Sequence, residues 1–246
     1  MTTLVPAPIR PLFQVLRNDP CPCASGERFR RCCGSVSPNR PIPHGIHITR
    51  NYLDTDTCER LLAHAAQQTT SPLRQLDREK STAEHIVRGT QIGRVTLRVD
   101  MQQYQEELNT LLARIVTDNI EPLFSDKASW FESPQLMRYE PGCYYWPHAD
   151  SENLLEAENH WVKDLDRDAS ILLYLDSTFE GGQLYFPYFD FKLSPEPGML
   201  VTFPSDSRYL HEALEVTSGV RHAIVSWVAL AEQPKLRKPP EEAVFC

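Results

Sequence analysis

The chain has 246 residues, 41% of them hydrophobic, enough for one sizeable core and a small appended module. No run approaches the ~18 apolar residues of a membrane-crossing helix, and prolines at 6, 8 and 11 interrupt any secretory leader, so the sequence reads as cytoplasmic, with its seven cysteines reduced or metal-bound. The net charge of −8 is uneven: residues 1–43 hold six basic and two acidic side chains, net +4, which leaves −12 on the other 203. No nucleic-acid or membrane surface is expected on the larger part; the small part is either a solvated tail or a contact for something acidic.

Residues 1–16 read as an N-terminal extension and 17–34 as a compact module. "NDPCPCASGERFRRCCG" places Cys21, Cys23, Cys32 and Cys33 as C-x-C-x8-C-C. Two close pairs on a short loop can converge as four thiolates on one tetrahedral cation, and Zn²⁺ suits that closed, structural site. Metal would supply the folding energy of a segment too short for a core. Disulfides or unligated thiols are the alternatives, and a reducing compartment disfavours the first. The stretch resembles the SEC-C zinc motif, found on the bacterial preprotein translocase ATPase and on other bacterial proteins. The resemblance implies zinc on these four cysteines, and a contact with a further protein or with the translation or export machinery. The Pro- and Ser-rich residues 35–45 read as a linker.

Residues 46–232 form the larger domain. "HITRNYLDTDTCERLLAHAAQQ" suggests a short strand and then a helix capped by Asp54 or Thr55. "TQIGRVTLRVD" alternates like a strand, and apolar residues at 104, 108, 111, 112, 115 and 116 make a helical stripe that should end near Pro122. Beyond residue 133 come short strands with turn signals, the pattern of an antiparallel sandwich or barrel. The class is α+β, mainly β. "AEQPKLRKPPEEAVFC" (residues 233–246 with the two before) reads as a mobile C-terminal tail.

In "YEPGCYYWPHAD", His148 and Asp150 stand two apart, and on a strand they would share a face. A lone His-x-Asp is usually a solvated pair. One further histidine would complete a facial triad with open positions for iron. His64 and His85 fall in the helical half and His160 in an acidic loop, whereas His211 leads into the last strands. Arg221 follows ten residues later with a fork suited to a buried carboxylate, and His222 beside it faces away.

Residues 135–230 resemble the Fe(II)- and 2-oxoglutarate-dependent dioxygenases of the prolyl 4-hydroxylase-like branch. The shared words are "RYEPGCYYWPHAD", "ASILLYLDSTFEGGQLYFP" and "PGMLVTFPSDSRYLHEALEVTSGVRHAIVSWV", in the right order. The resemblance implies a double-stranded β-helix, or jelly roll, with packed N-terminal helices and its core at 134–231. It implies His148, Asp150 and His211 as iron ligands and catalytic centre. It implies Arg221 and Tyr174 at the distal carboxylate of 2-oxoglutarate, Tyr139 as a hydrogen bond to that cosubstrate, and Tyr145 and Arg167 at peptide-contact positions. Alternation puts Ser170 and Leu172 on the face of Tyr174. The implied reaction consumes O₂ and 2-oxoglutarate, releases CO₂ and succinate and hydroxylates a C–H bond, with ascorbate as a plausible rescuer of the iron. The substrate implied is a prolyl residue of a protein or peptide. A small molecule such as a free amino acid, or a zinc-dependent interaction module with a degenerate barrel, are the alternatives. The loop 151–168 carries six acids against Lys163 and Arg167 and reads either as a lid that favours a basic substrate or as a solvated loop.

Overall fold

The computed structural model describes residues 17–21, 25–34, 42–73, 75–76, 88–89, 93–155 and 160–246. Cys23, the extension 1–16, most of the linker and the tip of the acidic loop lie outside the described residues.

Two β-sheets face each other. The larger has nine strands, and its main path runs His47–Thr49, Leu200–Pro204, Ala169–Tyr174, Arg221–Leu230, Gln135–Tyr139, Leu97–Val99, Thr70–Pro72. The smaller has five, in the order Phe191–Leu193, Leu184–Phe186, His211–Ala213, Tyr144–His148, Arg94–Val95. Every pairing between these strands is antiparallel. This is the expected jelly roll.

The ten residues of Arg221–Leu230 are all buried, because both faces of the large sheet are covered. Its outer face carries Leu136, Ile171, Leu173, Ile224 and Val228, which meet Leu61, Leu108, Leu112 and Ile120 of the helical layer. Its inner face carries Met137, Tyr139, Tyr174, Val225 and Trp227, which meet Phe186 and Ala213 of the small sheet. Burying each large side chain contributes about 1.5–3 kcal/mol, so both layers are needed to hold the barrel.

The helix Thr55–Ala65 starts as expected: the Asp54 carboxylate accepts from Thr57 N at 2.7 Å. The second helix, Gln105–Ile115, passes through a π turn at Val116–Ile120 into Glu121–Phe124 and stops at Ser125, whose φ is 52°, close to the end expected near Pro122. Pro122 sits in the first turn after the π segment, where its missing N–H costs least.

One expectation fails. Residues 233–246 are not a loose tail. Ala243–Phe245 pairs with Ala128–Glu132, and the Leu236 and Arg237 amides donate to the Asp166 carboxylate. The ends of 151–168 form a hairpin, Glu152–Leu155 against His160–Lys163, and its described acids have structural partners: Glu152 accepts from Ser207 N, Asp164 from Asn153, and Asp168 from Lys163 and Leu230 N.

Candidate metal and cosubstrate site

His148 ends its strand and lies directly opposite His211 in the small sheet. Asp150 is beyond the strand, in the bend that follows, so the turn and not strand alternation brings it in. The carboxylate bridges the two rings. Asp150 Oδ1 lies 3.6 Å from His148 Nε2, and Oδ2 lies 3.6 Å from His211 Nε2. One donor atom from each residue fits within 4.8 Å of the others.

Both rings are oriented from behind. His148 Nδ1 donates to Trp146 O at 2.8 Å, and His211 Nδ1 donates to Tyr209 O at 3.0 Å. With Nδ1 donating, each ring turns its Nε2 toward the carboxylate, the orientation a cation requires. Burial first, then neighbouring His211, pushes the His148 imidazole well below its ordinary pKa. For Asp150 burial acts upward, but His211, His148 and Arg167 outweigh it and hold the carboxyl at about 2. Ser170 Oγ donates to Asp150 Oδ2 at 2.7 Å, and Ser205 Oγ lies 2.7 Å from Ser170 Oγ. The centre therefore sets two histidines, each with Nε2 turned inward, around one fixed buried carboxylate, a donor set suited to a divalent cation.

The inner face of the large sheet supplies a second polar group nearby. Register sets Arg221 opposite Tyr139 and Tyr174 opposite Ala223, so all three side chains enter the space between the sheets. The Arg221 guanidinium lies 4.0 Å over the Tyr139 ring and 5.7 Å from the Tyr174 ring centre, with Nη1 donating to Gly182 O at 2.7 Å. Among the described residues, Arg221 Nε and the Tyr174 hydroxyl are buried with no hydrogen-bond partner. Burial pushes Tyr174 up to about 12, so it remains a neutral donor at physiological pH. Two buried donors without an acceptor, one cationic, are a strong cost unless an anion completes them.

Residues 134–229 match the family model "2OG-Fe(II) oxygenase superfamily", and residues 17–35 match the SEC-C motif. Over that stretch the chain is similar to the 2OG-Fe(II) oxygenase superfamily. A PKHD-type hydroxylase of Crocosphaera subtropica is 34% identical over 100 residues, 39% of this chain and 42% of the relative. Prolyl 4-hydroxylase 1 of Arabidopsis thaliana is 30% identical over 118 residues, 38% of this chain and 39% of the relative. The chain thus spans about half the length, or less, of these relatives. A solved prolyl hydroxylase from Trichoplax adhaerens, in complex with a hypoxia inducible factor oxygen degradation domain peptide fragment, has the same fold. The TM-score is 0.52 at 22% identity, covering 75% of this chain and 83% of that one.

The residues present fit the groups that this similarity implies. The triad has the donor set for Fe(II), and the unpartnered Arg221 and Tyr174 donors fit a carboxylate. The other expected residues fall in two classes. Tyr145 is brought to the triad by a register shift in its strand, and its ring stacks on His148 with centroids 3.4 Å apart and Arg94 4.2 Å above it. Arg167 is tied up: its guanidinium forks onto Glu132, stacks 3.6 Å over Trp227 and reaches Asp150 O at 3.4 Å. It is a wall of the metal site before it is a peptide contact. His222 faces away from Arg221, as expected, and pairs with Asp176 at 2.6 Å.

Sequence reasoning missed Glu132, Ser205 and Trp227. Ser170 was on the right face, and only the fold shows that it holds Asp150. At the N-terminus Cys21, Cys32 and Cys33 place their sulfurs within 4.8 Å of one another, on a short hairpin closed by Cys21 N to Glu27 O and Phe29 N to Asp19 O, 2.8 Å each.

Proposed function

We propose that the chain is a 2-oxoglutarate-dependent hydroxylase of a prolyl residue in a cytoplasmic protein or peptide. His148, Asp150 and His211 would hold Fe(II), and Arg221 with Tyr174 would hold the distal carboxylate of 2-oxoglutarate. Cys21, Cys23, Cys32 and Cys33 would hold structural zinc. The observation that carries the reading is the pair of unsatisfied buried donors, Arg221 Nε and Tyr174 Oη, between the same two sheets as an open His-Asp-His set.

When bound, Fe(II), 2-oxoglutarate and O₂ supply the oxidising power for C–H hydroxylation, with decarboxylation of the cosubstrate to succinate. The chain's own residues do the rest. Trp146 O and Tyr209 O keep both Nδ1 protons in place and both Nε2 atoms turned inward. Ser170 restrains the Asp150 carboxylate against rotation. Arg221, anchored at Gly182 O, would take the cosubstrate as a bidentate fork while Tyr174 adds a neutral donor. Phe186 and Phe203, both 1% exposed or less, pack against His211 and keep water from that side.

A peptide substrate is supported by the prolyl-hydroxylating relatives, by the structural neighbour solved with a peptide fragment, and by Tyr145 stacked at the triad's edge. The test is incubation with Fe(II), 2-oxoglutarate and ascorbate in a lysate lacking the native gene. Succinate formation with enzyme-dependent hydroxyproline in one protein, absent with His148→Ala, is the expected result. Hydroxylation of a free amino acid with no modified protein would overturn the substrate; no succinate at all would overturn the activity.

A further inference from the structure

The cysteine hairpin reads in sequence as a bead on a linker, but its surroundings are those of a docked part. Cys21 and Cys32 are 5% and 2% exposed, and they belong to the same contiguous apolar cluster as Met137, Tyr139 and Tyr209 of the barrel. Phe29, Cys33 and Ile42 pack against that cluster from the module and its linker. A module of this size cannot bury its own cysteines, so the barrel provides the cover.

The end of the linker makes one further contact, at Tyr209. The Tyr209 hydroxyl donates to His44 O at 3.1 Å. The contact is close enough that Gly45, at φ +86°, admits no side chain: a Cβ there would lie 1.9 Å from that hydroxyl. The other end of the same residue accepts the His211 Nδ1 proton at 3.0 Å. Tyr209 itself is fixed. It is 2% exposed, lies against the Phe189 ring at 5.7 Å and sits in the single 3-10 turn Ser207–Tyr209, which Asp206 and Glu152 cap. Its phenol is held by the segment that enters from the zinc module, and its carbonyl orients a triad histidine two residues away.

We propose that Tyr209 is a positioning residue through which the docked zinc knuckle sets the orientation of His211, so that zinc occupancy and Fe(II) affinity are coupled. The proposal rests on the metal assignments above. If the knuckle loosens without its metal, His44 loses its fixed place and the Tyr209 hydroxyl loses that contact, which removes one of the restraints on the carbonyl that fixes the His211 tautomer. Linkage makes the effect reciprocal: the factor by which zinc strengthens iron binding is the factor by which iron strengthens zinc binding.

The test compares the full zinc-loaded chain with Tyr209→Phe, with Cys32→Ser/Cys33→Ser, and with the three changes combined. The readouts are amide exchange, anaerobic Fe(II) titration, and the ligand-field bands of Co(II) placed at the triad. The cysteine variant should exchange at least tenfold faster at 44–49 and 207–213 and bind Fe(II) about fivefold or more weakly, in the usual range of site coupling. Tyr209→Phe should keep its zinc, shift the Co(II) bands and weaken Fe(II) by a similar factor, and the combined variant should be no weaker. Unchanged exchange at 207–213 on loss of the cysteines, or simply additive effects on Fe(II), would overturn the coupling. If the cysteine variant does not fold, Tyr209→Phe decides alone: weaker Fe(II) and shifted bands support the proposal, and unaltered ones overturn it. The exchange readout needs no iron, so a chain that binds no Fe(II) would sink the triad assignment separately from the coupling.

Discussion

The two faces of the large sheet are built from the same strands and do opposite work. On Arg221–Leu230, Ile224 and Val228 point to the helical layer, while Arg221, Val225 and Trp227 point to the small sheet. The outer face is mainly apolar, with Ser226 bonded to Glu132 O and His222 to Asp176 as buried polar exceptions. The inner face mixes Tyr139, Tyr174 and Trp227 with Ser170, Arg221 and, from across the gap, His211. A buried polar group needs a partner; among the described residues the inner face leaves the Arg221 Nε and Tyr174 hydroxyl donors without one, and the outer face leaves His222 Nε2. Stability is concentrated outside and unfinished chemistry inside. Substitutions on the two faces should therefore fail in different assays.

The largest separation is expected at His211→Ala. The change removes an inner ring whose Nε2 faces Asp150, and with it one of three donors. Succinate formation should fall at least a thousandfold, roughly 4 kcal/mol of barrier, with the chain still folded by circular dichroism. Next is the outer face. Leu112 is fully buried among the helical layer's contacts, and Leu112→Ala should cost about 2–5 kcal/mol in urea unfolding while leaving the KM for 2-oxoglutarate unchanged in the folded fraction. A changed KM would mean that the two faces are not independent.

Legibility followed the same division. The first helix with its Asp54 cap was readable from local pattern, and the jelly-roll class and the meeting of His148, Asp150 and His211 from the family resemblance. The convergence of His148 and Asp150 was anticipated, but through strand alternation that stops one residue too early; the bend supplies it. The failures were long-range. An acid-rich loop and a Pro-rich end each look solvated alone, and the sequence holds no local sign that Asp166 will receive the amides of Leu236 and Arg237, some 70 residues away. Arg167 likewise reads as an available cation until the fold brings Glu132 to it. Both errors treat a charge as free because its partner is distant in sequence.

Arg221→Leu sharpens the comparison within the inner face. It removes the cation of the carboxylate pocket but not the triad. The lost pairing costs about 2–5 kcal/mol by analogy with truncating one side of a desolvated charge pair, so the apparent 2-oxoglutarate affinity should fall at least tenfold. Fe(II) binding, read by anaerobic titration, should hold. An unaltered cosubstrate affinity would place the carboxylate elsewhere and leave the unpartnered Arg221 and Tyr174 donors unexplained.

The smallest effect belongs to Ser170→Ala. Ser170 is 1% exposed, and its hydroxyl donates to Asp150 Oδ2 while lying 2.7 Å from Ser205 Oγ. Alanine keeps the backbone register with Trp227 and Phe203, so the sheet should be nearly as stable. The carboxylate loses one charge-assisted hydrogen bond, worth about 1.5–3 kcal/mol, and part of that loss is offset as Ser205 shifts toward the vacated oxygen. Fe(II) affinity should fall about three- to tenfold, a fraction of that energy. The melting temperature should move by only a few degrees. A large drop in melting temperature with full iron affinity would show that Ser170 serves packing, and that the polar inner face is more structural than its open donors indicate.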